Sequence, residues 1–165
     1  MKLYRSASLI VCVLFYSAVA AQNVSINVLT RNSGIVQKGE TVFFEVTINN
    51  TDPSQFVGVY KLKAQINIPD SFLIIQTLGH QLPTGWEIIS NSGNTITVSN
   101  AKDIIANSDS RTLLIAIKGV NICSSKILSG QLSFSNGIAP GADPGYLKDD
   151  NPADNYSTSS CQVIK

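Results

Sequence analysis

The chain has 165 residues, with 12 lysines and arginines against 11 aspartates and glutamates, a formal net charge of +1 and only 14% charged residues. So even a balance excludes the concentrated basic field that a nucleic-acid partner or a strongly acidic surface demands. The length suits one domain enclosing one hydrophobic core.

The first 21 residues read as an export signal. Lys2 and Arg5 form a basic start, Leu9 to Tyr16 an apolar run, and Ser17-Ala18-Val19-Ala20-Ala21 a small-residue region that suits cleavage after Ala20 or Ala21. The apolar run is well short of the ~20 residues a spanning helix needs. Cleavage leaves residues 22–165 as a single domain and removes Lys2 and Arg5. Ten basic residues then face eleven acidic ones, a net charge of −1. It also removes Cys12, so the mature chain keeps Cys123 and Cys161. Two cysteines in an exported chain point to a disulfide. Closing a loop of about 38 residues would stabilise by roughly 3–4 kcal/mol in the chain-entropy account. The alternative is two separate buried thiols. With His80 as the only histidine, the cysteines lack the ligand number and spacing of a metal site.

The mature chain is a succession of short strand patterns. Asn23 to Thr30 alternates Val24, Ile26 and Val28 with Ser25, Asn27 and Thr30, as an edge strand would, and Arg31 to Gly39 reads as a connection. Within Gly39 to Ser54, Val42, Phe44, Val46 and Ile48 fall on one face and Glu45, Thr47 and Asn49 on the other, before an Asn-Asn-Thr-Asp-Pro-Ser turn. Tyr60, Leu62, Ala64, Ile66 and Ile68 alternate with Lys61, Lys63, Gln65 and Asn67 until Pro69-Asp70. Phe72 to Leu78 is a short apolar run that length and β-branching assign to a strand. Trp86 to Ser90 and Asn94 to Ser99 form two strands around Asn91-Ser92-Gly93. Lys102 to Ser110 is polar, with room for a helical turn. Leu113, Ile115 and Ile117 mark another strand, and Ile127 to Ser135 carries Leu132 and Phe134 with Gly130 in its middle. Asn136 to Asn155 is a long Gly-, Pro-, Asp- and Asn-rich connection of the kind usually functional or mobile. Tyr156 to Ile164 closes the chain, with the facing of Cys161 open. Some seven to nine strands and no amphipathic helix of ordinary length predict an all-β chain, an antiparallel β-sandwich.

These residues resemble a conserved repeat domain of unknown function of bacterial surface proteins. The likeness is carried by Gly39-Glu40-Thr41-Val42 running to Asn49-Asn50, Ile68-Pro69-Asp70-Ser71-Phe72, Gly85-Trp86, Gly93-Asn94-Thr95-Ile96-Thr97-Val98, Ala106 to Ile117, and Asp150-Asn151-Pro152-Ala153-Asp154-Asn155. Ser71 stands where that family usually has glycine. The resemblance implies an immunoglobulin-like β-sandwich and no catalytic residues. Members of the family usually occur as tandem repeats, whereas this chain holds one copy.

Few residues suggest chemistry. Asp143, Asp149, Asp150 and Asp154, with Asn151 and Asn155, concentrate oxygen donors of the type calcium prefers, although their spacing is not that of the alternate-position calcium loop. Asp and Asn are also ordinary turn residues, and turn chemistry is the favoured explanation. Leu82-Pro83-Thr84-Gly85 lacks the spacing, position and apolar tail of a sortase anchoring motif and reads as a turn. Trp86 reads as core rather than as a sugar platform with Tyr60 or Tyr146. His80 has no nucleophile motif to serve and reads as a solvated loop residue. Glu40, Glu45 and Glu87 read as solvent-facing. No catalytic residue and no cofactor other than calcium is expected.

The expected role is that of a non-catalytic exported module, structural, adhesive or protein-binding, secreted or at the cell surface, with the periplasm as another destination. Its partner would be a surface protein or a glycan, with no nucleic acid and no membrane-spanning segment in the mature chain. The alternatives are a carbohydrate- or calcium-dependent binding module and a pilin-like assembling subunit. A pocket of converging polar groups would favour ligand binding, a long unpaired edge strand assembly, and a smooth sandwich a spacer.

Overall fold

The computed structural model describes residues 23–74, 79–134 and 151–165. Ten strands follow in order: β1 (Val24–Thr30), β2 (Ile35–Gln37), β3 (Thr41–Asn50), β4 (Leu62–Asn67), β5 (Phe72–Ile74), β6 (Glu87–Ser92), β7 (Thr95–Ser99), β8 (Ser110–Gly119), β9 (Cys123–Phe134) and β10 (Tyr156–Ile164). They make two sheets, ordered β1-β3-β8-β5 and β2-β10-β9-β4-β7-β6. All pairings are antiparallel except that of β2 with β10. This is the immunoglobulin-like β-sandwich that the alternating patterns and the resemblance predict.

The core follows from that alternation. In β3, Val42, Phe44, Val46 and Ile48 are buried. Opposite them across β1 and β8 stand Ile26, Val28, Leu113, Ile115 and Ile117, also buried. The second sheet contributes Leu62, Ala64, Ile66, Ile96, Val98, Leu128 and Leu132 to the same cluster. Fully burying one such aliphatic side chain contributes about 1.5–3 kcal/mol, so the two facing stripes dominate the stability.

Several boundaries differ from the pattern. Residues 31–39 are not a plain connection. They hold a 3-10 turn at Asn32–Gly34 and then β2, which lies parallel to β10. Gly34 permits this approach: its φ is +75°, and a Cβ there would overlap the Ser160 carbonyl oxygen. Tyr60 leaves the face of β4, with φ +58° and an exposed ring. The β6–β7 turn centres on Gly93-Asn94, one step later than the sequence suggests. No helical turn forms over residues 102–110. β9 starts four residues earlier than expected and thereby includes Cys123. The apolar run after Ile74 continues into residues outside the described set.

β1 is an edge strand, as expected, but β10 seals it. The Val28 and Thr30 amides donate to the hydroxyls of Ser157 (3.1 Å) and Ser159 (3.2 Å), and the Thr30 hydroxyl donates to the Ser160 carbonyl at 3.0 Å. Side-chain hydroxyls thus supply acceptors that a neighbouring backbone would otherwise provide.

Candidate interaction face

The outer face of the six-stranded sheet is built by register. Because Ala64, Ile66, Ile96, Val98 and Leu132 point into the core, their strand neighbours Gln65, Asn67, Thr95, Thr97 and Gln131 point away from it. Pairing aligns Tyr156, Gln131, Gln65, Thr97 and Ser90 in one row across β10, β9, β4, β7 and β6. A second row places Thr158, Ser129, Asn67, Thr95 and Ser92 side by side. Neither row carries a charge. The strip crosses five strands, about 19 Å at the usual spacing of about 4.8 Å, and its rows lie about 6.8 Å apart. Hydrogen bonds hold its amides: Thr95 Oγ1 donates to Asn67 Oδ1 at 3.0 Å, Gln65 Nε2 to the same oxygen at 3.3 Å, and Asn67 Nδ2 to Ser129 Oγ at 3.4 Å. Tyr156 closes one end, 56% exposed, and Ile127 on β9, 64% exposed, stands beside the second row.

The loops at one end of the sandwich are held from within. Residues 51–61 and 100–109 bridge through Val57 and Ile105. Fully buried Asn100 accepts the Leu62 amide at 3.0 Å and donates to the carbonyls of Gly58 (2.8 Å) and Asp103 (3.0 Å). Asn50 donates to the carbonyls of Gln55 (2.7 Å) and Ala106 (3.0 Å). Trp86 is a core residue, as expected, and its indole donates to Asp103 at 2.7 Å. Arg111 clamps the same carboxylate at 2.7 Å and Asp109 at 2.6 Å. Hydrogen bonding to Arg111, then to the Ser110 amide, holds the Asp109 carboxyl below its ordinary value of 3.8. These residues form a structural brace, which sequence spacing did not reveal.

No family model matches the chain, and no curated protein sequence does. Solved structures do match. A non-cellulosomal cohesin from the hyperthermophilic archaeon Archaeoglobus fulgidus has a TM-score of 0.54 and 14% identity, covering 87% of this chain and 92% of that one. A CARDB domain from Pyrococcus furiosus, solved in complex with di-metal ions, has a TM-score of 0.52 and 10% identity, covering 90% and 98%. The major pilin subunit BcpA of Bacillus cereus has a TM-score of 0.55 and 13% identity, covering 86% of this chain and 40% of that one. The likeness is one of fold.

The residues singled out from the sequence do not assemble into one site. Asp143, Asp149 and Asp150 lie outside the described residues. Asp154 sits in the 3-10 turn before β10, where its Oδ2 accepts from Asn151 Nδ2 at 3.0 Å. Among the described residues no three His, Cys, Asp or Glu side chains converge. Cys123 and Cys161, expected as a disulfide, stand as free thiols, half-buried and buried. They occupy adjacent strands across a β-bulge: Cys161 faces Lys126, and Cys123 faces Val163. Burial, with a smaller contribution from Cys123, pushes the Cys161 thiol up to about 12. Cys161 also lines an open depression of about 210 Å³ with Gly34, Ser125 and Gln162.

His80 is not the solvated residue that the sequence suggests. Its Nδ1 accepts the Ala116 amide of β8 at 3.1 Å, beside the bridge between Gln81 and Leu114. Leu82 to Gly85 is the expected turn, closed by the Trp86 amide on the Pro83 carbonyl. Glu45 pairs with Arg31, Glu40 accepts the Gln37 amide, and Glu87 is exposed at the edge of the sheet. No helix among the described residues is long and apolar enough to cross a membrane.

Proposed function

We propose that the chain is an exported, non-catalytic immunoglobulin-like module that makes adhesive or structural contacts at or outside the bacterial cell surface, as the resemblance to repeat domains of surface proteins implies. The observation that carries this reading is the charge-free strip of two side-chain rows on the outer face of the six-stranded sheet. It offers two ordered rows of hydrogen-bonding groups on rigid strands, which is the form of a contact surface rather than of a reaction centre. The fold shared with a cohesin, a CARDB domain and a pilin subunit supports an interaction module. Export follows from the basic, apolar and small-residue succession of residues 1–21, and it would bring Cys123 and Cys161 into a compartment that permits oxidation.

Expression in a bacterial host with fractionation and N-terminal sequencing tests the export. Cleavage after Ala20 or Ala21 is expected, and retention of Met1 on a cytoplasmic protein would overturn it. The contact surface is tested by binding the purified mature chain to intact bacterial cells. A Gln65→Arg, Thr97→Arg double variant, which folds normally by circular dichroism, should lose attachment. Equal attachment by both proteins would remove the strip from the account.

A strand-addition reading has one observation in its favour. β6 is a sheet edge with Ile88 and Ile89 exposed. The bulge between Ile88 and Ser90 breaks its register and works against a regular partner strand. A monomer on sizing at high concentration would remove it.

A further inference from the structure

We infer that the strip across β10, β9, β4, β7 and β6 binds a neutral, hydroxyl-rich polysaccharide. The inference rests on the contact-surface reading above and names its partner class. Three observations select that class. The ten side chains of the two rows are amides, alcohols and one phenol, so every position presents a neutral hydrogen-bonding group. Amides and hydroxyls both donate and accept, which matches the vicinal hydroxyls of a sugar. A polyanion would instead need lysines or arginines facing it, and among the described residues of the five strands' outer face only Lys63, in the adjoining row beside Ser99 and Glu87, borders the strip.

The second observation concerns where the apolar surface lies. Protein partners are held chiefly by aromatic and aliphatic anchors at the centre of an interface, with polar groups at its rim. Here the arrangement is reversed: the centre is Gln65, Asn67, Thr95 and Thr97, while Tyr156 and Ile127 stand to one side and the exposed Ile88 and Ile89 lie on β6 at the far edge. A single exposed ring beside a polar strip suits the C–H face of a sugar ring, with the next sugars lying over the hydrogen-bonding rows.

The third observation is order. Asn67 is fixed by bonds from Thr95 and Gln65 and by its own bond to Ser129. Its neighbours sit on strands whose reverse faces are core. Little side-chain freedom then remains to be lost on binding, which weak individual hydrogen bonds to a polyol require. The strip spans five strands, about 19 Å at the usual strand spacing, so the ligand is an extended chain lying along a surface and not a monosaccharide held in a pocket.

The test is retention of the purified mature chain by insoluble cellulose and chitin, and by soluble β-glucan and galactomannan in affinity electrophoresis, with alginate and heparin as anionic controls. Retention is expected on at least one neutral polysaccharide and should persist in about 1 M salt, because no charge contributes. Tyr156→Ala and the Gln65→Ala, Gln131→Ala pair should each weaken it at least tenfold without changing the melting temperature. Failure of every neutral polysaccharide overturns the inference, as does binding only to the anionic controls with release by salt, or binding indifferent to these variants. If Gln65→Arg, Thr97→Arg abolishes attachment to cells while no polysaccharide binds, the partner is a protein: the contact surface stands and the glycan falls. If neither binding nor attachment responds, both fall.

Discussion

Replacing Asn100 tests the account of how the loops are held. In Asn100→Ala the Leu62 amide loses its acceptor in a site closed to water, and the Gly58 and Asp103 carbonyls lose their donor. Leaving a buried amide unsatisfied costs about 1–3 kcal/mol, and each lost hydrogen bond to a carbonyl about 1 kcal/mol. The sum is about 3–5 kcal/mol. In a domain of this size each kcal/mol moves the melting temperature by about 2–4 °C, so a fall of about 10 °C is expected by circular dichroism. Asn100→Asp separates the roles of the two ends of the amide. The carboxylate restores an acceptor for Leu62 but faces two carbonyls with no donor, so it should be no more stable than the alanine variant. A melting temperature within about 2 °C of the parent for either variant would refute the reasoning, because a buried amide left unpaired cannot be that cheap.

Gly130→Ala should destabilise by about 1–3 kcal/mol through overpacking, since a Cβ there would lie 2.6 Å from Val28 Cγ1 and 2.9 Å from Ile26 Cδ1; denaturant unfolding checks it. Ser157→Ala with Ser159→Ala should speed hydrogen exchange selectively at the Val28 and Thr30 amides, whereas exchange raised equally across β1 would point to general loosening. Because the Asp109 carboxyl is held below 3.8, its contribution is present above that value and lost as the pH falls through the lower folded value. The parent should therefore exceed Asp109→Asn in melting temperature at pH 7, and the two should converge in strong acid. In the reduced protein at pH 8, a thiol reagent should label Cys123 well before Cys161, whose thiol is buried and held neutral; equal rates would contradict the placement of β10.

How much of this was legible in the sequence depends on the kind of signal. β1 and β3 could be read because period-two alternation is a local property, and the buried sets Val24, Ile26 and Val28, and Val42, Phe44, Val46 and Ile48, are what the pattern predicts. The three-residue β2 left no periodicity to read, and its place beside β10 depends on Gly34 fitting against Ser160. Tyr60 matched the face of β4 by spacing, but its positive φ turns it outward. His80 looked solvated because its partner, the Ala116 amide, lies 36 residues away on another strand. The polar strip shows the same division. Gln65, Asn67, Thr95 and Thr97 were readable as polar halves of their strands, yet which of them stand side by side follows from sheet order and register, set by packing across the whole domain. The brace of Trp86, Asp103 and Arg111 was hidden for that reason too: its three side chains come from three separate segments.

The outer face of the six-stranded sheet is the proposed contact surface of this protein. The most direct measurement compares the binding of the mature chain to intact bacterial cells when a charge is placed on one face or on the other. Thr97→Arg alters the strip, whereas Thr47→Arg alters the outer face of the four-stranded sheet, where Thr47 pairs with Thr112. Thr97→Arg is expected to abolish attachment while Thr47→Arg retains it, with both variants folded. Attachment lost in Thr47→Arg and kept in Thr97→Arg would place the contact on the opposite sheet and contradict the claim.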